Sequence, residues 1–244
     1  MRKLTLKIGK LEQDRTSYMT AFWLWIRQIG KRRPIPFCRI CIGELDRAQP
    51  LCSYLFSKEV ICHVCKETYF HCIYQKLTLS QYPMWALYTY DDALESLIYR
   101  YKEQRDIALA PVFLHDFRHK IERRYAAHTI VTMPSSEAKI KERGFHHLEE
   151  MLKEIRLPIC PCLRKTAPIK QAKQGKKRRL EIAAYIELDP NLALPDTALL
   201  LFDDVCTSGS TLRAACELLK QHPYPIEVLV LSVHPLYVEN CGQF

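Results

Sequence analysis

The chain reads as an α/β protein, a mainly parallel sheet with helices on both faces, preceded by a small cysteine-rich module. Three observations predict this. From Trp85 onward, short apolar or β-branched runs alternate with stretches of helical period, the order that sets parallel strands between crossover helices. The run Ala198 to Phe202 is continuously apolar, as a strand covered on both faces requires. Six of the eleven cysteines crowd between Cys38 and Cys72, ahead of the alternating region.

Three segments follow from this pattern. Residues 1–36 are a basic arm closed by Pro34 and Pro36, with Trp23 and Trp25 and no clear core period; one amphipathic helix would fit them. Met19 is a candidate start, because recognisable chemistry begins only at Cys38. Residues 37–82 form the cysteine module, with Cys38-x₂-Cys41 and Cys62-x₂-Cys65 set twenty residues apart. Each pair can turn two sulfurs toward one ion, and four thiolates suit tetrahedral zinc in a zinc-ribbon-like fold. Four sulfurs leave no open position, so the role expected is structural. Cys52, His63, His71 and Cys72 are alternative ligands.

Residues 83–244 carry the alternating pattern. Trp85 to Tyr90 is an aromatic, β-favouring run. Asp91 or Asp92 can cap a helix in which Leu94, Leu97, Ile98 and Tyr101 share one face. A second helix is expected over Ile107 to Tyr125, a buried strand over His128 to Met133, and a helix over Phe145 to Ile155. Short strands are expected at Ile159 to Leu163 and Ala184 to Leu188, on either side of a basic stretch from Arg164 to Arg179. The strand Ala198 to Phe202, a helix over Thr211 to Lys220 and a closing strand Ile226 to Val233 complete the order.

Composition excludes several classes. With 48% apolar and 26% charged residues the chain is globular. Its longest aromatic-apolar run near the start, Ala21 to Ile26, is far shorter than the roughly 20 residues of a membrane span. No secretory leader is visible, so a cytoplasmic protein is expected. The net charge of +9 is uneven: residues 181–244 hold two basic side chains against nine acidic, a balance of −7, so residues 1–180 carry +16. That split suits phosphate-bearing partners, and equally a solvated basic surface.

The most informative stretch is Leu199 to Thr211, an apolar strand followed by Asp203-Asp204 and then Thr207-Ser208-Gly209-Ser210-Thr211. A turn of this kind can wrap N–H groups and hydroxyls around a dianionic phosphate at a helix N-terminus. Gly209 permits a positive φ or close approach. Two acids beside a phosphate make sense if they face sugar hydroxyls or Mg²⁺. The bland alternative is a strand-turn-helix in which Asp204 is a cap. The stretch resembles the phosphoribosyl pyrophosphate (PRPP) loop of type I phosphoribosyltransferases. That resemblance implies Asp203 and Asp204 as ribose-diol binders and Thr207, Ser208, Gly209, Ser210 and Thr211 as the 5′-phosphate cradle.

A four-cysteine zinc module ahead of such a domain resembles the ComF family of bacterial competence proteins. Tyr88 to Lys102, Pro134 with Glu142-Arg143-Gly144-Phe145, and the basic loop with Gln171, Lys177 and Arg179 are similar to that family's segments. His146 and His147 stand where the family has Asn-Gln, and read as partly exposed residues opening a helix. The resemblance implies zinc as a structural metal, Mg²⁺ with PRPP, and Arg143 and the basic loop neutralising a leaving pyrophosphate. For function it implies support of natural transformation, with single-stranded DNA and the DNA-uptake helicase as partners. The second function it allows is an active phosphoribosyltransferase with an unidentified acceptor. The basic loop fits a pyrophosphate cradle, a nucleic-acid contact or a solvated surface.

Overall fold

Each strand of the central sheet is a run whose burial follows from its composition. The computed structural model describes residues 37–45, 59–165 and 186–241. The arm 1–36 with Met19, Cys52 and the loop residues Gln171, Lys177 and Arg179 lie outside the described residues. Strands β1 (Cys72–Leu79), β2 (Tyr82–Thr89), β3 (His128–Thr132), β6 (Ala198–Cys206) and β7 (Ile226–Val233) form one five-stranded sheet in the order β1-β2-β7-β6-β3. Only β1 and β2 pair antiparallel; β2 with β7, β7 with β6 and β6 with β3 are parallel. The two central strands are buried along nearly their whole length, which requires cover on both faces. The α/β class is as predicted. Strand β1 was not foreseen: it comes from the stretch read as the cysteine module and shields the β2 edge of the sheet.

The helices follow their caps. Asp91 accepts the Leu94 N–H at 2.9 Å and starts α2 (Asp92–Lys102), which buries Leu94, Leu97, Ile98 and Tyr101. Ser136 caps α4 (Glu137–Arg143), and Gly144 ends it in the left-handed conformation at φ 89°. Helix α6 (Ser210–Leu219) buries Leu212, Ala215, Cys216 and Leu219 against the sheet, each large apolar side chain contributing about 2 kcal/mol. Helix α1 (His63–Tyr69) precedes β1, and α7 (Pro235–Cys241) follows β7.

Three boundaries differ from expectation. The single helix over 107–125 is instead two 3₁₀ turns, Ile107–Val112 and His115–Phe117, and then α3 (Arg118–Arg124). Pro111 lies inside the first turn and cannot donate the N–H that an α-helix needs there. Helix α5 is shorter than expected, His147–Leu152. The strand expected at 159–163 is displaced to β4 (Leu163–Lys165), paired antiparallel with β5 (Ile186–Leu188), while Ile159 bridges Ile130. The cysteine pairs and the sheet belong to one unit, Phe37–Phe244, and share one core: Cys38, Ile40, Ile61, Cys65 and Phe70 are buried with the sheet residues.

Candidate functional site

The parallel strands β3, β6 and β7 end at the same edge of the sheet, where open α/β sheets bind ligands. Strand β6 runs through Asp203 and Asp204 to Cys206, further than its apolar run alone predicts. Beyond it the turn is open: Thr207 and Ser208 are exposed, and Ser210 and Thr211 half-buried. Gly209 is the left-handed N-cap of α6, at φ 68°. A Cβ there would meet Leu79 Cδ1 at 2.6 Å, so glycine is required both by conformation and by space. The Arg213 guanidinium donates to the Ser208 carbonyl at 2.6 Å, and the Ser208 and Ser210 hydroxyls are 3.0 Å apart. A second feature of the turn is thus a cation from the first turn of α6.

The two acids behind this turn have unlike surroundings. Asp203 is half-buried and its Oδ1 accepts the Asp204 N–H at 3.0 Å. Asp204 is 6% exposed. Its Oδ1 accepts the Val205 N–H at 3.1 Å, and its Oδ2 accepts from Lys102 Nζ at 2.7 Å with His147 Nε2 at 3.6 Å. The Ser232 hydroxyl donates to its carbonyl at 3.0 Å. Burial works to raise the Asp204 carboxyl, but the Lys102 cation holds it below the usual carboxylate range. Burial and the charge of Asp204 push Asp203 well above that range. The two neighbouring carboxyls are thus shifted in opposite directions.

His147 corrects an expectation. Its neighbour His146 is exposed, as read, but His147 is 6% exposed, with Nδ1 3.3 Å from the Ser135 hydroxyl and its carbonyl accepting from the Tyr101 hydroxyl at 2.7 Å. Burial pushes the imidazole down to about 4, so it is neutral near pH 7. Arg143 is also buried. Its Nε donates to the Lys102 carbonyl at 3.0 Å, Nη2 lies 3.8 Å from Glu103, and Nη1 has no partner among the described residues. With Lys102, Arg105, Lys139, Glu103 and Glu142 it lines a small polar cleft. Sequence reasoning singled out Asp203, Asp204, Arg143 and the turn, and missed Lys102 and His147 as their companions. A signal was present for His147, which with His146 stands where the resembling family has Asn-Gln.

The cysteine site assembles as expected. The sulfurs of Cys38, Cys41, Cys62 and Cys65 all lie within 4.8 Å of one another, and Cys41 and Cys62 are 3.8 Å apart. A tetrahedral zinc with bonds near 2.3 Å sets its sulfurs roughly 3.8 Å apart, so this donor set fits the ion. The turns hold it: the Cys38 N–H donates to the Gly43 carbonyl at 2.8 Å, and the Cys65 N–H to the Cys62 sulfur at 3.4 Å. Burial works to raise the Cys38 thiol, yet the N–H groups of Cys41, Cys62 and Ile40 bring it down to about 6, and burial pushes Cys65 up. No helix among the described residues is long and apolar enough to cross a membrane.

No family model matches the chain. Two curated proteins named competence protein ComFC do. The chain is 28% identical to that of Bacillus subtilis over 188 residues, covering 75% of this chain and 77% of the relative. It is 24% identical to that of Streptococcus pneumoniae over 136 residues, covering 56% of this chain and 61% of the relative. Among solved structures it is similar to a hypoxanthine phosphoribosyltransferase of Staphylococcus aureus at TM-score 0.35 and 11% identity, over 52% of this chain and 64% of that one. It is also similar to an adenine phosphoribosyltransferase of Saccharomyces cerevisiae at TM-score 0.36 and 14% identity, over 56% of this chain and 74% of that one. By its matching sequence, the chain is similar to the ComFC competence proteins.

Proposed function

We propose that the chain binds a phosphorylated ribose, with PRPP and Mg²⁺ as its complete ligand, and serves natural transformation as the names of its ComFC relatives suggest. The observation that carries the ligand reading is the exposed hydroxyl turn Thr207–Ser208, set between the acidic pair and the N-terminus of a ten-residue helix. The helix end and the turn N–H groups supply partial positive charge to a 5′-phosphate, and Arg213 supplies a full one. Ser208, Ser210 and Thr211 offer hydroxyl donors. The acidic pair near the end of β6, just before the turn, would receive the ring hydroxyls. Residues Cys38, Cys41, Cys62 and Cys65 hold a structural zinc that braces the N-terminal turns of the same unit. Uptake of single-stranded DNA, in the cytoplasm and beside a helicase, is the cellular role that goes with this reading; the basic arm 1–36 and the loop with Gln171, Lys177 and Arg179 are its proposed phosphate contacts.

A second reading, an active phosphoribosyltransferase, is favoured by one observation. The Lys102 cation stands against Asp204, and Arg143 donates to the Lys102 carbonyl behind it, two cations that could neutralise a leaving pyrophosphate. One titration tests both. Purified protein is titrated by calorimetry with PRPP and Mg²⁺, and separately with single-stranded DNA at several salt concentrations. Saturable PRPP binding that Ser208→Glu abolishes is expected, because a fixed negative charge then occupies the phosphate position. Equal binding by that variant would sink the site. Release of pyrophosphate on adding an acceptor would select the enzyme; salt-sensitive DNA binding without release would select the uptake protein.

A further inference from the structure

Helix α3 lays a row of cations along an aromatic face of the β1–β2 hairpin. Lys120 has no carboxylate partner among the described residues. Its Nζ sits 3.1 Å from the Tyr74 ring centroid and 5.9 Å from that of Phe117. One turn on, the Arg124 guanidinium lies 4.4 Å from the Trp85 ring centroid, and exposed Arg123 shares that turn. The rings form one floor: Tyr74 lies 4.7 Å from Trp85 and stacks on Phe117 at 5.4 Å and 15°. Tyr74 and Trp85 are half-buried, so this floor reaches solvent. Lys76 pairs directly with Trp85 across the two strands, which puts both side chains on one face.

A cation held by a ring keeps its charge for an outside anion, whereas Lys66 against Asp116 and Arg100 against Asp106 are already neutralised. Arg124 is intermediate, its Nη2 3.6 Å from Glu227. Beside it the Trp85 Nε1–H and the hydroxyl of Tyr125, a residue 1% exposed, have no hydrogen-bond partner among the described residues. Donors in this state favour a ligand rich in acceptor oxygens. Position separates this face from the hydroxyl turn. Arg124 and His128 approach Glu227 near the amino end of β7, while the turn follows Cys206, whose strand partner Val233 ends β7. Six residues of strand lie between Glu227 and Val233, about 20 Å at roughly 3.3 Å each.

Resting on the DNA-partner reading above, we propose that α3 and the β1–β2 face are a docking surface for single-stranded nucleic acid, independent of the ribose-phosphate turn. Lys76, Lys120, Arg123 and Arg124 take the phosphates, and the floor of Tyr74 and Trp85 stacks bases. A duplex hides its base faces, and an acidic peptide has no flat rings to stack, so neither uses the floor.

The test titrates the full chain with a fluorescent oligothymidylate, by anisotropy at several salt concentrations. Lys120→Gln with Arg123→Gln, two surface changes, should weaken binding roughly 10-fold at low salt and lower the salt slope by about 1.4, at roughly 0.7 per phosphate. Tyr74→Ala should cost roughly 10-fold through lost stacking, and Tyr74→Phe should restore it. PRPP affinity by calorimetry should be unchanged in all three variants, and saturating PRPP should leave the oligonucleotide affinity unchanged. Thermal melts confirm that each variant is folded. Wild type that binds the oligonucleotide while the double variant binds it equally overturns the proposal and leaves the DNA reading standing on the arm and the loop. Displacement of the oligonucleotide by PRPP, equal binding of a duplex of the same length, or equal competition by polyglutamate also overturns it. Wild type that binds no oligonucleotide ends both.

Discussion

Two clusters of like-charged groups sit in this molecule, and they are stabilised in opposite ways. The four cysteines come from two short turns, and among the described residues no cation is placed among their sulfurs; a metal is the natural supplier of that charge. The acidic pair at the end of β6 carries its own cation, Lys102, brought from 102 residues away by the packing of α2. A thiolate cluster is therefore a folding device that waits for an ion. The carboxylate cluster has its counter-ion within the fold. The difference predicts that the first will respond to metal and the second to mutation of distant residues.

The largest effect should come from the metal. Cys62→Ser with Cys65→Ser, or dialysis against a strong chelator, should remove about one zinc per chain and lower the melting temperature by roughly 10 °C. The loss should be smaller than in isolated zinc fingers, because Ile40, Ile61 and Phe70 also anchor these turns in the core. A folded wild type free of metal, with an unchanged melt, would erase the contrast. Next is the turn: Gly209→Ala forces a left-handed residue and a clash with Leu79, together about 3 kcal/mol by chemical denaturation. Asp204→Asn strands Lys102 and should cost about 2–3 kcal/mol, with Asp203→Asn costing clearly less; equal costs would make the two acids equivalent.

The smallest effect is one of pH. His147 titrates at about 4 in the folded protein, against an ordinary value near 6.5. On acidification the unfolded chain takes up the proton first, so His147 contributes stability that is present above pH 6.5 and is lost as pH falls toward 4. Between pH 6.5 and 5.5 that slope is at most about 1 kcal/mol. His147→Gln should flatten it, and an unchanged slope in urea titrations at the two pH values would remove the buried imidazole from the account.

Legibility differed between these regions for a physical reason. The cysteine site was readable because each pair spans two intervening residues, and a tight turn is a local property. Helix α2 was readable because a cap and a 3.6-residue period are local too. Strand β1 was missed because its residues alternate weakly, and its partner β2 and neighbour α7 decide its placement; Tyr237 donates to its Thr78 carbonyl at 3.1 Å. The helix expected over 107–125 failed at Pro111, a local signal outweighed in reading by the apolar period around it.

By itself the sequence determined the α/β order, the caps, the four-sulfur turns and the hydroxyl turn after β6, since each depends on residues within a few positions of one another. Only the tertiary structure decided which groups meet at the acidic pair. Lys102, His147 and Ser232 reach Asp204 through the packing of α2 and α5 and the pairing of β6 with β7, and the energy of a buried charge is set by what surrounds it, whatever its distance along the chain.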